Sequence, residues 1–313
     1  MATRVIKLGL VGAQDESFRA IESALLRQDR LAVQVVFDPC LQAARALSEN
    51  LAASAVPSLE QLLKQVEGVI FADVRWMGAE PMVRSMAYER PMLLLMPVLA
   101  SLSQTEAERL RHFSDLTTTP AMPGLDSRWG RSTLRLRELT ATRLGDIVNI
   151  VLRYRDEGRG DRLRAVDWCT TVTQSMVRTV ESTPDGQEWT LTLQHGRPGA
   201  QPVTATIAFV DSPASQDATS GAAGEFSAEV TCRNGRVEIM DERTLRWSTE
   251  TGTEEESLNR DRVSGDLMLD LFGRRLVGGL VPVPGVDDLL QANRVLTTAA
   301  VSQRTGERLP IIR

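Results

Sequence analysis

The chain has 313 residues, 42% of them hydrophobic and 25% charged, which is enough for one large or two medium domains with substantial cores. Its formal net charge is −5 and its arginines are scattered, which argues against the basic face of a nucleic-acid binder. No apolar run reaches the length that spans a bilayer, so neither nucleic acid nor membrane is an expected partner.

The opening segment, MATRVIKLGLVGA, has too short an apolar stretch for a secretory signal. Cys40, Cys169 and Cys232 lie far apart, without metal-ligand spacing. They suit a reducing compartment, and the cytoplasm is the expected location. The proton-transfer inventory is small: His112, His195, Lys7, Lys64, Tyr88 and Tyr154 are the only histidines, lysines and tyrosines.

VIKLGLVGA (5–13) is a continuous apolar run ending in glycine, as in a parallel strand buried on both faces. Residues 17–28 carry Phe18, Ile21, Ala24 and Leu25 at helical spacing. A second strand is predicted over 31–39, a helix over 41–52, and another over 58–66 opened by Ser58 as N-cap. A strand over 68–74, a helix over 80–89 and a strand over 91–97 follow. This alternation predicts βαβ units on a doubly wound parallel sheet. Further on, 188–196, 202–210, 225–241 and 244–250 alternate as strands, with Asn234-Gly235 as a hairpin turn. Residues 211–225, rich in Ser, Ala and Gly, read as a loop.

The first βα turn of a doubly wound sheet is where dinucleotide phosphates rest. Here it reads Gly12-Ala13-Gln14-Asp15-Glu16-Ser17. Against G-x-G-x-x-G only the first glycine survives. Gln14 puts a side chain where the second glycine admits the pyrophosphate, and Asp15 and Glu16 add negative charge. Asp38 ends the second strand, where an acid bonds an adenosine ribose 2′-hydroxyl and favours NAD over NADP. The plain alternative is a turn aspartate before Pro39.

Several longer stretches resemble the Gfo/Idh/MocA family, the glucose-fructose oxidoreductase and inositol dehydrogenase type. VVFDPCLQAARALSENL resembles its second strand, Asp-Pro and helix, and VPSLEQLLKQVEGVIFAD the segment that follows. ERPMLLLMP is similar to its G-K-H-V-x-x-E-K-P, and residues 109–150 to its helix, strand, R-[FY]-x-P and G-x-I-G-x-I run. LLQANRVLTTAAVSQRTGERLPI (289–311) resembles its closing helix and S-x-x-T-G ending. The resemblance implies an α/β fold: an N-terminal Rossmann domain over 1–122 and a C-terminal α+β domain over 123–288 with a large, mostly antiparallel open sheet. A closing helix and tail over 289–313 would return toward the first domain. It also implies an NAD(P)-linked oxidoreductase that forms homo-oligomers through the open sheet.

The same resemblance places the family's catalytic lysine on Met96, beside Pro97, and its catalytic histidine on Arg164. The catalytic aspartate falls on Gly160, and only Asp167 matches in D-x-G-x-H-x-x-D. The A-T-P-x-x-x-H loop falls on 72–78, without its proline and histidine. Candidate cofactor contacts are Gly12, Ala13, Gln14, Asp38 and Pro97. Candidate cleft residues are Arg75, Trp76, Arg128, Trp129 and Asp167, with Arg164 and Trp168 nearby in sequence. Arginine forks onto carboxylate or phosphate, so an anionic small molecule is a candidate ligand; ordinary salt bridges are the alternative. His112 falls on a surface helix and His195 in a turn, which leaves Tyr154 as the remaining acid/base candidate. The expectation is a degenerate, non-catalytic oxidoreductase. The alternatives are an NAD-dependent enzyme on a sugar or polyol with unusual acid/base groups, or an oligomeric partner of an active homologue. No metal site is expected.

Overall fold

The structure is a computed structural model that describes residues 4–12, 16–74, 77–197, 199–210 and 226–312. The chain divides into two compact units, Met1–Leu125 with Gly265–Leu290, and Asp126–Ser264 with Gln291–Arg313.

The first unit contains β1 (Ile6–Val11), α1 (Glu16–Leu26), β2 (Leu31–Phe37), α2 (Leu41–Asn50), β3 (Ser54–Ala55), α3 (Leu59–Gln65) and β4 (Gly68–Phe71). It continues through α4 (Glu80–Ala87), β5 (Met92–Leu94), α5 (Met96–Ser101), α6 (Gln104–Thr117) and β6 (Ala121–Pro123). The strands form one parallel sheet in the order β3-β2-β1-β4-β5-β6, the doubly wound topology expected from the alternating pattern. β4 and β5 are buried at every position. A continuous apolar run therefore belongs at the centre of a sheet covered on both faces, and each such side chain stabilises by about 2 kcal/mol.

Local chemistry sets the helix ends. Ser58 caps α3 by accepting from the Gln61 amide at 3.3 Å. Ser103 and Glu106 form a reciprocal capping box at the start of α6. The strand predicted over 91–97 is shorter than expected. Leu95 ends it in extended geometry, and α5 begins at Met96 with Pro97 in its first turn. Proline lacks only a hydrogen bond that the first turn does not make, so it starts a helix without cost.

The second unit contains α7 (Arg131–Leu139), β7 (Ile147–Arg155), α8 (Arg159–Thr173), β8 (Ser175–Ser182), β9 (Glu188–His195) and β10 (Val203–Val210). β11 (Phe226–Cys232), β12 (Gly235–Ile239), β13 (Thr244–Thr249) and β14 (Gly252–Ser257) follow. Nine strands are ordered β14-β13-β12-β11-β7-β10-β9-β8-β15, where β15 is Leu309–Pro310. All neighbours are antiparallel except β7 and β10. β7 alternates strictly after its first turn, with Ile150, Leu152 and Tyr154 buried and Val151, Arg153 and Arg155 exposed, as in a sheet with one packed face. α8 covers the packed face with Leu163, Val166, Trp168, Cys169 and Val172.

Two segments depart from the expected boundaries. α9 (Ser264–Leu276) belongs to the first unit, where Met268, Leu269 and Phe272 are buried and Arg27 pairs with Asp266 at 2.8 Å. The closing segment is α10 (Val286–Thr305) and β15. From Gln291 onward it belongs to the second unit. β15 pairs with β8, and Ser302 Oγ accepts from the Ser182 amide at 3.0 Å. Residues 211–225 lie outside the described residues.

Candidate functional site

In the first unit, the carboxyl ends of the strands gather the candidate cofactor residues. The strand order reverses direction between β1 and β4, the place where open α/β sheets bind ligands. Gly12 follows β1 with φ +87°, and its amide donates to Phe37 O at 3.0 Å. A Cβ at Gly12 would land inside the backbone of Asp73. Ala72 donates to Val11 O at 2.8 Å, which holds the segment after β4 against the end of β1. The glycine is therefore required by this close approach, whether or not a phosphate also uses the turn.

Asp38 follows β2 and is 7% exposed. Its Oδ1 accepts from the Cys40 amide at 2.7 Å, an Asx turn that leads into α2. This geometry serves the turn reading directly. Leu95, Met96 and Pro97 sit at the end of β5, and the Leu95 amide donates to Phe71 O at 2.9 Å. Met96 is 6% exposed, and its thioether offers neither a proton nor a charge. Ala13, Gln14, Arg75 and Trp76 lie outside the described residues.

In the second unit, the candidate cleft residues cluster between a short 3-10 turn, Asp126–Trp129, and α8. Arg128 forks onto Asp167, with Nε at 2.8 Å from Oδ2 and Nη2 on Oδ1. Both side chains are largely buried. Arg164 donates from Nε to Asp126 Oδ1 and from Nη1 to Asp161 Oδ1, each at 3.1 Å. Trp168 donates from Nε1 to Thr133 Oγ1 at 2.9 Å, and Trp129 is buried. The structure thus pairs the arginines of this cluster with aspartates of the same unit. Asp161 lies one helical turn before Arg164 on α8, a spacing already present in the sequence, whereas Asp126 went unnoticed because a carboxylate in a turn is commonplace and it meets Arg164 only once α8 faces that turn.

The remaining proton-transfer groups are dispersed. Tyr154 lies within β7, is 2% exposed and stacks on Phe226 with centroids 5.9 Å apart. His195 ends β9 and accepts from the Arg197 amide at 2.9 Å, His112 lies on α6, and Lys64 pairs with Glu60 on α3. Burial pushes the Cys169 thiol well above its ordinary pKa and the Cys232 thiol up to about 11, so neither is a thiolate nucleophile at neutral pH. No group of three or more His, Cys, Asp or Glu side chains could hold a metal ion among the described residues. Among them, too, no helix is long and apolar enough to cross a membrane.

No family model and no curated protein matches the sequence. Solved structures do match in fold. An oxidoreductase from Agrobacterium radiobacter, in complex with NAD+, L-tartaric acid and magnesium, is 12% identical; the match covers 98% of each chain with a TM-score of 0.78. The WlbA dehydrogenase from Bordetella pertussis, in complex with NADH and UDP-GlcNAcA, is 15% identical over 100% of this chain and 99% of its own, with a TM-score of 0.77. A super-repressor mutant of Gal80p from Saccharomyces cerevisiae is 13% identical over 98% of each chain, also with a TM-score of 0.77. At these identities the likeness is one of fold. The chain has the two-part fold of the Gfo/Idh/MocA-type oxidoreductases.

Proposed function

We propose that the chain is a non-catalytic member of this oxidoreductase fold, a pseudoenzyme that acts by binding or assembly. One observation carries the reading: the position that resembles the family's catalytic lysine is Met96, buried in the first turn of α5. Oxidising an alcohol by hydride transfer needs a base for the hydroxyl proton, and such a base contributes about 10²–10⁴-fold. Arg164, at the histidine position, is bonded to Asp126 and Asp161, and a guanidinium stays protonated at any working pH.

The residues at the strand ends fit the adenosine half of NAD better than its phosphates. Asp38 stands at the end of β2, where the ribose hydroxyls would be held, and favours NAD over NADP. Gly12 and Pro97 would line the same edge. The turn after Gly12 supplies Asp15 and Glu16 rather than further glycines, which disfavours the pyrophosphate. NAD, when bound, supplies a hydride-accepting nicotinamide; this chain's own residues there bind and orient but move no proton. The reading therefore predicts weak NADH binding without turnover.

Purified protein titrated with NADH, followed by fluorescence transfer and thermal shift, tests the binding half. A weak response abolished by Asp38→Ala is expected, and the absence of any response would remove NAD as a ligand. Incubation with NAD+ and a panel of polyols and sugars tests the other half, with no growth of reduced-cofactor absorbance expected. Turnover that disappears in Tyr154→Phe would instead establish an NAD-dependent enzyme with a tyrosine acid/base.

A second reading, association with an identical or related chain, is favoured by Val148, Val151, Met176 and Val210, which are exposed on strands of the nine-stranded sheet. Gal80p, a repressor by its description, shares the fold and supports a role in binding rather than turnover. Light scattering on a sizing column should give a dimer or larger, and a monomer with no partner would end this reading.

A further inference from the structure

The second unit contains an open cavity of about 770 Å³ that the oxidoreductase reading does not use. Its walls are the π-helical turn Thr140–Leu144, the β11–β12 turn and the β13–β14 turn. π-helical turns cost hydrogen-bond geometry and are frequent at functional sites. Two glycines line the cavity, one required by close backbone packing and one facing open space. A Cβ at Gly235 would enter the backbone of Ser248 and stand 2.8 Å from Leu144 Cδ2, whereas one at Gly252 would meet nothing within 4 Å.

One wall is rigidly built. Trp247 is buried, and its Nε1 donates to Glu256 Oε1 at 2.7 Å. Glu256 is in turn forked by Arg135, through Nε and Nη2, each at 2.7 Å. That guanidinium holds the Glu256 carboxyl below its ordinary pKa, so the anchor stays charged. Arg143 lies over the Trp247 ring, 4.9 Å from its centroid. Stacking, not hydrogen bonding, holds it in place. Its closest carboxylate is Glu254 at 3.9 Å, beyond hydrogen-bond reach, and its guanidinium donates no hydrogen bond among the described residues. A half-exposed, stacked guanidinium with unused donors is prepared for a bidentate oxygen pair.

The rest of the lining suits hydroxyls. The Asn234 carboxamide makes no hydrogen bond among the described residues, and the Thr249 and Thr251 hydroxyls lie 2.8 Å apart. Together with Glu250 they offer both donors and acceptors, which a sugar hydroxyl requires. Arg143 and Arg233 are balanced by Glu250 and Glu254, so the site lacks the positive excess that a polyphosphate needs. We propose that this cavity is a ligand site that takes a single carboxylate on a polyhydroxylated framework, the chemistry of a sugar acid. Arg143 would fork the carboxylate, while Asn234 and the threonines would read the hydroxyls.

The test is calorimetric titration of the intact protein with D-glucuronate, D-glucose and acetate. Glucuronate should bind more tightly than either of the others. Arg143→Gln should weaken it by about tenfold or more, the loss of one charge-assisted pair. Gly252→Gln, which narrows the cavity without touching Arg143, should weaken it as well and stands in if the first variant unfolds by circular dichroism. Arg153→Gln, on a strand outside the cavity, should change nothing. Saturating NADH should leave glucuronate binding intact, which separates this site from the strand ends of the first unit. Absence of glucuronate binding, equal binding of acetate or glucose, or unchanged affinity in both cavity variants would each overturn the proposal.

Discussion

The strand ends of the first unit and the charged cluster of the second treat their distinctive residues differently. In the first unit, Gly12, Asp38 and Pro97 each answer a demand of the local backbone: a close approach to Asp73, an Asx turn and a helix start. In the second, Arg128, Arg164, Asp126, Asp161 and Asp167 are matched to one another across a turn and a helix. A glycine or proline answers to φ and not to reactivity, so backbone geometry alone can hold it in place. Ionisable groups have no such second reason to stay in place. Those that are buried need counter-charges.

The contrast can be tested by removing one residue from each side. Asp167→Ala should cost most, about 4 kcal/mol in urea unfolding, because it takes the forked carboxylate away from the largely buried Arg128 guanidinium. A cost near zero would mean that Arg128 reaches solvent and is available to a ligand. Gly12→Ala should cost about 3 kcal/mol, from the positive φ and the collision with Asp73. If thermal unfolding were unchanged and only NADH binding fell, the glycine would be serving a phosphate instead. Trp168→Phe should cost about 1 kcal/mol through the lost bond to Thr133, read as a shift in the denaturation midpoint at constant slope.

The smallest effect concerns Glu242, beside the start of α7. Burial pushes its carboxyl pKa up, and its Oε1 has no hydrogen-bond partner among the described residues. The folded state therefore binds this proton more tightly than the unfolded chain does. The group's contribution to stability is fully present below its unfolded pKa and is lost as pH rises through the folded one. Glu242→Gln should accordingly raise stability at neutral pH and leave it unchanged in acid. Denaturation at two pH values checks this, and a loss at neutral pH would make the Arg131 and Arg243 charges the dominant neighbours.

Much of the first unit was legible because its signals are local. Apolar runs such as Gly68–Phe71, the Ser58 cap and helical spacing in 17–28 need no partner to be read. The identity of Met96 was legible too, since it is a methionine wherever it lies. The strand over 91–97 was read too long because an apolar run does not reveal where a buried strand becomes a buried helix. Leu95 and Met96 look alike in sequence, yet Leu95 is still extended while Met96 already begins α5.

Periodicity and turn residues alone pointed to the parallel sheet and to the alternating strands of the second sheet. These rest on contacts within a few residues, where chain entropy leaves few alternatives. Tertiary structure decided which arginine meets which aspartate, that β7 and β10 run parallel, that α9 joins the first unit, and that Arg143 stacks on Trp247. Apart from the i,i+3 pair of Arg164 with Asp161, these join residues tens of positions apart, and a charged side chain carries no mark of a distant partner until folding brings the two together.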